Sequence, residues 1–104
     1  MTTDARFLAD CAADRLDRLA DDIEALAKIE RPAPAAVGAL ATVRASRNEA
    51  AGALERLVPS LTKGSDRLPA HDEAKLIRGG QMSAGVEVAC LRRWATEWRA
   101  FADA

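Results

Sequence analysis

An apolar stripe that runs into a pair of prolines constrains this chain more than any other feature. Leu8, Ala12, Leu16, Leu19, Ile23 and Leu26 recur at steps of three and four residues. A strand returns to one face every second residue and a helix every three to four, so this spacing specifies an amphipathic helix. Thr2 or Thr3 is placed to cap it ahead of Asp4, because a hydroxyl accepts from the free N–H groups of a first helical turn. Pro32 and Pro34 end it near Glu30, since proline lacks the N–H a helix needs and clashes with the turn before it. The spacing is coiled-coil-like, with Ala12 its weak position.

The ERPAPA connector is short and stiff, which favours an antiparallel return. A second helix is predicted over residues 34–62, with Val37, Leu40, Val43, Ala51, Leu54, Val58 and Leu61 as its apolar face. Pro59 ends or kinks it. Ala36, Ala50 and Ala51 offer close approach between the two helices. Residues 63–68 read as a loop from their composition. A short helix over 69–78 follows, with Pro69 acceptable in its first turn, then the Gly79-Gly80 interruption and a last helix over 83–102. No stretch alternates as a strand does. The expected fold is all-α and a single domain over 1–104: an antiparallel helical hairpin with a short helix and a C-terminal helix, forming a three- or four-helix bundle.

Alanine dominates the apolar residues and buries little area, so the expected core rests on the Leu, Ile, Val, Trp and Phe positions. A domain of 104 residues is stabilised only modestly by such a core, which makes self-association or a partner an expectation. The net charge of -1, from 15 basic and 16 acidic residues, gives no overall electrostatic case for nucleic acid or an anionic membrane. Cys11 and Cys90 form no CxxC pair and read as reduced, buried small hydrophobes. The MTTDARF start shows no basic region followed by an apolar one, and no apolar run is long enough to span a bilayer, so the cytoplasm is the expected location.

The closing segment CLRRWATEWRAFADA interleaves arginines with Trp94, Trp98 and Phe101. Wound into a helix, the three rings share one face, continued by Cys90 and Val86, while Arg92 and Arg99 point to roughly the opposite side. Arg93 and Glu97 flank the stripe and can pair at i, i+4. A single-strand binder needs rings and cations on one surface, so this pattern argues against nucleic acid. The stripe reads as core against the hairpin or as a docking face for a partner, aromatics being favoured anchors. Asp10, Asp14, Asp17, Asp21 and Glu24 form an acidic strip on the first helix. It is a solvated face or, through Asp14, Asp17 and Asp21, a recognition strip for a basic partner. Arg6, Arg15, Arg18 and Lys28 dilute it.

Arg44 and Arg47 fall on the apolar stripe of the second helix, where a guanidinium must reach water or find an acceptor. Glu87, near the aromatic face of the last helix, is the expected partner of Arg47, within or between chains; such a pair can fix register or oligomeric state. His71 has too few neighbouring ligands for a metal and no nucleophile to activate. Around it, AHDEAKLIRGG loosely resembles the phosphoacceptor helix of histidine phosphotransfer domains, four-helix bundles of similar size that usually read His-x-Leu-Lys-Gly. Here the lysine, Lys75, comes one position late and Glu73 stands at the leucine position. Gly79-Gly80 lacks a phosphate-loop pattern.

The expected function is a non-enzymatic protein-interaction module, an adaptor, assembly subunit or inhibitor that docks through a helix face and forms a homodimer. No cofactor, metal or catalytic constellation is implied. The alternative is a small DNA-binding regulator with a helix-turn-helix-like element in 73–99, although its intervening segment exceeds the usual turn of that motif.

Overall fold

The computed structural model describes residues 3–29, 34–61 and 67–104. They form helices α1 (Thr3–Ala27), α2 (Pro34–Leu57), α3 (Arg67–Gly79) and α4 (Ala84–Asp103), with a single 3₁₀ turn at Val58–Ser60 after α2. Pro34 opens α2, where its missing N–H costs nothing. Pro59 lies inside the 3₁₀ turn that ends the second helical run, so this run is α-helical to Leu57 rather than to residue 62. The third helix starts at Arg67, two residues before the predicted start at Pro69. Gly80 adopts a φ of 60°, and its N–H bonds back to the Leu76 carbonyl, closing α3 in the left-handed conformation that glycine enters without penalty. Ser83 stands in extended backbone as the N-cap of α4, without a side-chain cap bond. The expected Thr2 cap and most of the ERPAPA connector lie outside the described residues.

The molecule measures 47 × 21 × 19 Å, so its helices run along one axis. Cross-links between helices give their sense. Arg15 meets Glu49 while Ser46 donates to Asp22, which makes α1 and α2 antiparallel. Arg92 reaches Asp21 and Arg99 reaches Asp14, so α4 is antiparallel to α1 as well. Arg47 meets the Ile77 carbonyl near the end of α3, and Trp98 meets Glu73. The result is an all-α, up-down-up-down bundle.

The four sides of the bundle differ in width. α1 packs closely on both α2 and α4, and α2 packs on α3, whereas α3 and α4 are not among the closely packed pairs. Alanine supplies the reason for the tight sides. Ala5, Ala9, Ala12, Ala13 and Ala20 of α1 are fully buried, as are Ala50 and Ala51 of α2. Methyl side chains let helix axes approach toward the lower end of the ~8–10 Å range. Leu16, Leu19, Leu54, Leu57, Ile77 and Leu91 fill the centre. The expectation that the core rests on large side chains is corrected here: eleven of the twenty-two buried apolar residues described are alanines.

The α2 stripe is corrected too. Val43, Ala51, Leu54 and Leu61 are buried, yet Val37 and Leu40 are exposed. In the antiparallel register set by Ser46 and Asp22, these two residues come level with or beyond the end of α1 at Ala27. No α1 helix stands opposite them. Arg44 is also exposed, unlike Arg47 three residues further along α2.

Candidate functional site

The wide α3–α4 side is bridged by the aromatic face of α4. Trp94 and Trp98 are 7% and 5% exposed, and Phe101 is half-buried. The two indoles are therefore covered within one chain, as the core reading of the stripe expects and the exposed docking reading does not. A side chain as large as tryptophan fills a gap that alanine or leucine leaves open, which suits a side where the two helices are not closely packed. Trp98 and Phe101 meet edge to face, with centroids 5.5 Å apart and planes at 76°.

Glu73 sits among them at 9% exposure. The Trp98 Nε1–H donates to its Oε1 at 2.7 Å. Burial pushes its carboxyl up to about 7; the indole hydrogen bond opposes that shift, Glu97 and Asp72 add to it and Arg93 opposes it. Beside the carboxyl opens a cavity of about 140 Å³ lined by Pro69, Glu73, Glu97, Trp98 and Phe101. The sequence reading passed over Glu73 except as a neighbour of His71. A signal was present: Ala70, Glu73, Ala74 and Ile77 lie at i, i+3, i+4 and i+7, so the carboxylate interrupts the apolar face of α3.

Arg47 and Glu87 meet within the chain. The guanidinium donates to both carboxylate oxygens, at 2.6 and 3.0 Å, and to the Ile77 carbonyl at 2.8 Å. The Glu87 side chain is 4% exposed and that of Arg47 22%. One arginine thus satisfies a carbonyl of the last turn of α3 and a carboxylate of the first turn of α4, tying both to α2.

The acidic strip of α1 is answered from α4. Arg92 donates to Asp17 and Asp21 and contacts Glu24. Arg99 donates to Asp14 and Asp17 at 3.0 and 2.6 Å. Both guanidinium groups are held further in their charged form by these carboxylates. Asp14, Asp17 and Asp21 are therefore ion-paired within the chain, with the Asp14 and Asp21 side chains still 70% and 67% exposed, and Arg92 and Arg99 turn toward α1 rather than away from the bundle. Arg93 alone of the three arginines faces solvent, 3.7 Å from Glu97.

That arrangement bears on the helix-turn-helix reading of 73–99. α3 and α4 fold back on one another through the Glu73–Trp98 bond, α4 buries one face, and two of its three arginines are spent on α1. His71 is exposed on α3, Cys11 and Cys90 are free and half-buried, and no group of three or more metal-ligating side chains stands among the described residues. No described helix is long and apolar enough to cross a membrane.

Exposed large apolar side chains occur on all four helices, Phe7 of α1 at 67% and Leu76 of α3 at 51% among them, and three of the five stand toward the other end of the molecule. Val37 and Leu40 of α2 are 70% and 45% exposed and Val86 of α4 is 55% exposed. A groove of about 150 Å³ lined by Ile23, Glu24, Ala27, Ala84, Gly85 and Val88 opens at the same end, between α1 and α4. In comparisons with protein-family models, with curated proteins and with solved structures, the chain matches none.

Proposed function

We propose that this chain is a non-enzymatic protein-interaction module, an adaptor, assembly subunit or inhibitor that docks through a helix face and self-associates. The observation that carries the reading is the apolar end formed by Val37, Leu40 and Val86 beside the α1–α4 groove. Apolar side chains this exposed among the described residues are available to a partner, and exposed apolar surface marks interaction sites. The docking face moves there from the Trp94–Trp98–Phe101 stripe and the Asp14–Asp17–Asp21 strip, which the bundle uses for itself.

Two measurements test it. Sedimentation equilibrium should show a concentration-dependent dimer that V37D/L40D converts to monomer while the melting temperature holds. Affinity capture from the native host, read by mass spectrometry, should recover a stoichiometric protein that the same variant loses. A monomer at every concentration together with an empty capture overturns the reading. Steep salt-dependent DNA binding lost in Arg93→Ala would put the regulator in its place.

A further inference from the structure

The cavity on the α3–α4 side lies at the opposite end of α4 from the apolar groove, and its chemistry is different. Its walls are Pro69, two aromatic rings and two carboxyl groups. Trp98 and Phe101 meet at 76° and so form a corner rather than a flat wall. The Trp98 N–H is committed to Glu73 Oε1, which fixes the ring. Glu73 is 9% exposed and lines the cavity, and no buried side-chain oxygen among the described residues is left without a hydrogen-bond partner. Two carboxyl groups lining one cavity, Glu73 and Glu97, beside ring faces of negative potential, select for positive charge. An anion is repelled there, and a neutral apolar guest offers the two carboxyl groups no charge. At about 140 Å³ the space holds several water volumes.

We propose that this cavity binds an organic cation with a short apolar body, an alkylammonium or guanidinium group, held by the Glu73 and Glu97 carboxylates against the Trp98 and Phe101 rings. Arg93, 3.7 Å from Glu97, is the chain's own competitor for that position. The charged groups acting on Glu73 are Asp72 of α3 and Glu97 and Arg93 of α4. Because the free Glu73 carboxyl titrates near 7, binding of a cation displaces its proton, and affinity rises with pH. One-proton linkage across pH 6 to 8 makes that rise about tenfold. The inference is independent of docking at the other end.

The test is a titration of the full chain, labelled with nitrogen-15, by butylammonium, with 1-butanol and butyrate as neutral and anionic controls. The indole Nε1–H resonance of Trp98, assigned through Trp94→Phe, reports occupancy. A saturable shift from butylammonium alone, tighter at pH 8 than at pH 6, weaker in Glu73→Gln and Glu97→Gln and tighter in Arg93→Gln, supports the proposal. Glu97 is exposed, so its variant keeps the test decisive if Glu73→Gln fails to fold. Equal shifts from butanol, no saturable shift at pH 8, or unchanged affinity in Glu97→Gln and any folded Glu73→Gln overturns it. Tighter binding of a lysine-containing peptide than of butylammonium assigns the cation to a protein side chain, and the reverse order assigns it to a free amine; either result supports the shared chemistry.

Discussion

Arg47 reaches Glu87 across forty residues of sequence and closes a two-pronged bridge on it, at 2.6 and 3.0 Å, while donating to one last-turn carbonyl of α3, that of Ile77. Removing one partner of such a pair strands the other. Glu87→Ala should destabilise the fold by about 3 kcal/mol, and Glu87→Gln by about 1–2 kcal/mol, because the amide keeps the shape and loses the charge. Urea unfolding of both, in a double-mutant cycle with Arg47→Met, measures the coupling. Stability and assembly state both unchanged in Glu87→Gln would remove the pair from any structural role.

Glu73 gives the chain a pH dependence of unusual sign for a carboxyl group. The folded chain holds its proton up to about 7, while the unfolded chain releases it near the ordinary value of 4.5. Between those values the native state binds more protons than the unfolded one, so this group's contribution is full below 4.5, falls as pH rises, and is gone above 7. The loss is up to about 2–3 kcal/mol. The difference in stability between wild type and Glu73→Gln, followed from pH 4 to 8, isolates it from the other carboxylates. The variant should gain relative to wild type as pH rises, and a flat difference excludes the buried carboxyl as its source.

Asp17 accepts from both Arg92 and Arg99 and is the least exposed acid of the α1 strip that they bind. Exposed ion pairs contribute little singly, so Asp14→Asn and Asp21→Asn should each cost under about 0.5 kcal/mol. Asp17→Asn should cost about 1 kcal/mol, since it loosens two arginines together. Thermal unfolding at low and at molar salt checks this, with the differences shrinking as salt screens the network.

Gly80 has a φ of 60°, and a methyl group there would meet the Arg47 guanidinium at 3.8 Å, an ordinary contact. The cost of Gly80→Ala is therefore backbone strain alone, about 1 kcal/mol. Gly79 has no positive φ and nothing near its Cβ position, so Gly79→Ala should be close to neutral. Equilibrium unfolding of the two variants separates them.

Ala51 is fully buried on a tight side of the bundle. Ala51→Leu should destabilise by about 1–3 kcal/mol despite added apolar area, because the helices must part to admit it. The chemical shifts of α1 in the variant report whether they do.

Much of the fold was legible because helix periodicity is local. The stripe from Leu8 to Leu26, the prolines at 32 and 34 and the paired glycines act within a turn or two, and the four helices follow them closely. The pairing of Arg47 with Glu87 was also readable, since a cation and an acid on facing apolar stripes need each other. Glu73 interrupts the Ala70–Ile77 face, but its burial depends on Trp98, twenty-five residues away on α4, which no local pattern places opposite it. Arg92 and Arg99 were read as pointing outward because a single helix has only an inside and an outside. Held against α1, α4 acquires a third direction, along its flank, where Asp14, Asp17 and Asp21 wait.

By itself the sequence determined that the chain is helical, where its helices break and which residues cannot stay unpaired, since those properties depend on backbone geometry and near neighbours. The tertiary structure alone decided which sides of the bundle are tight and which is wide. That difference follows from side-chain size across helices far apart in sequence, alanine against alanine on α1 and α2, tryptophan against glutamate between α3 and α4. It buries the tryptophans, leaves a cavity beside Glu73, and leaves Val37 and Leu40 uncovered where α1 has already ended.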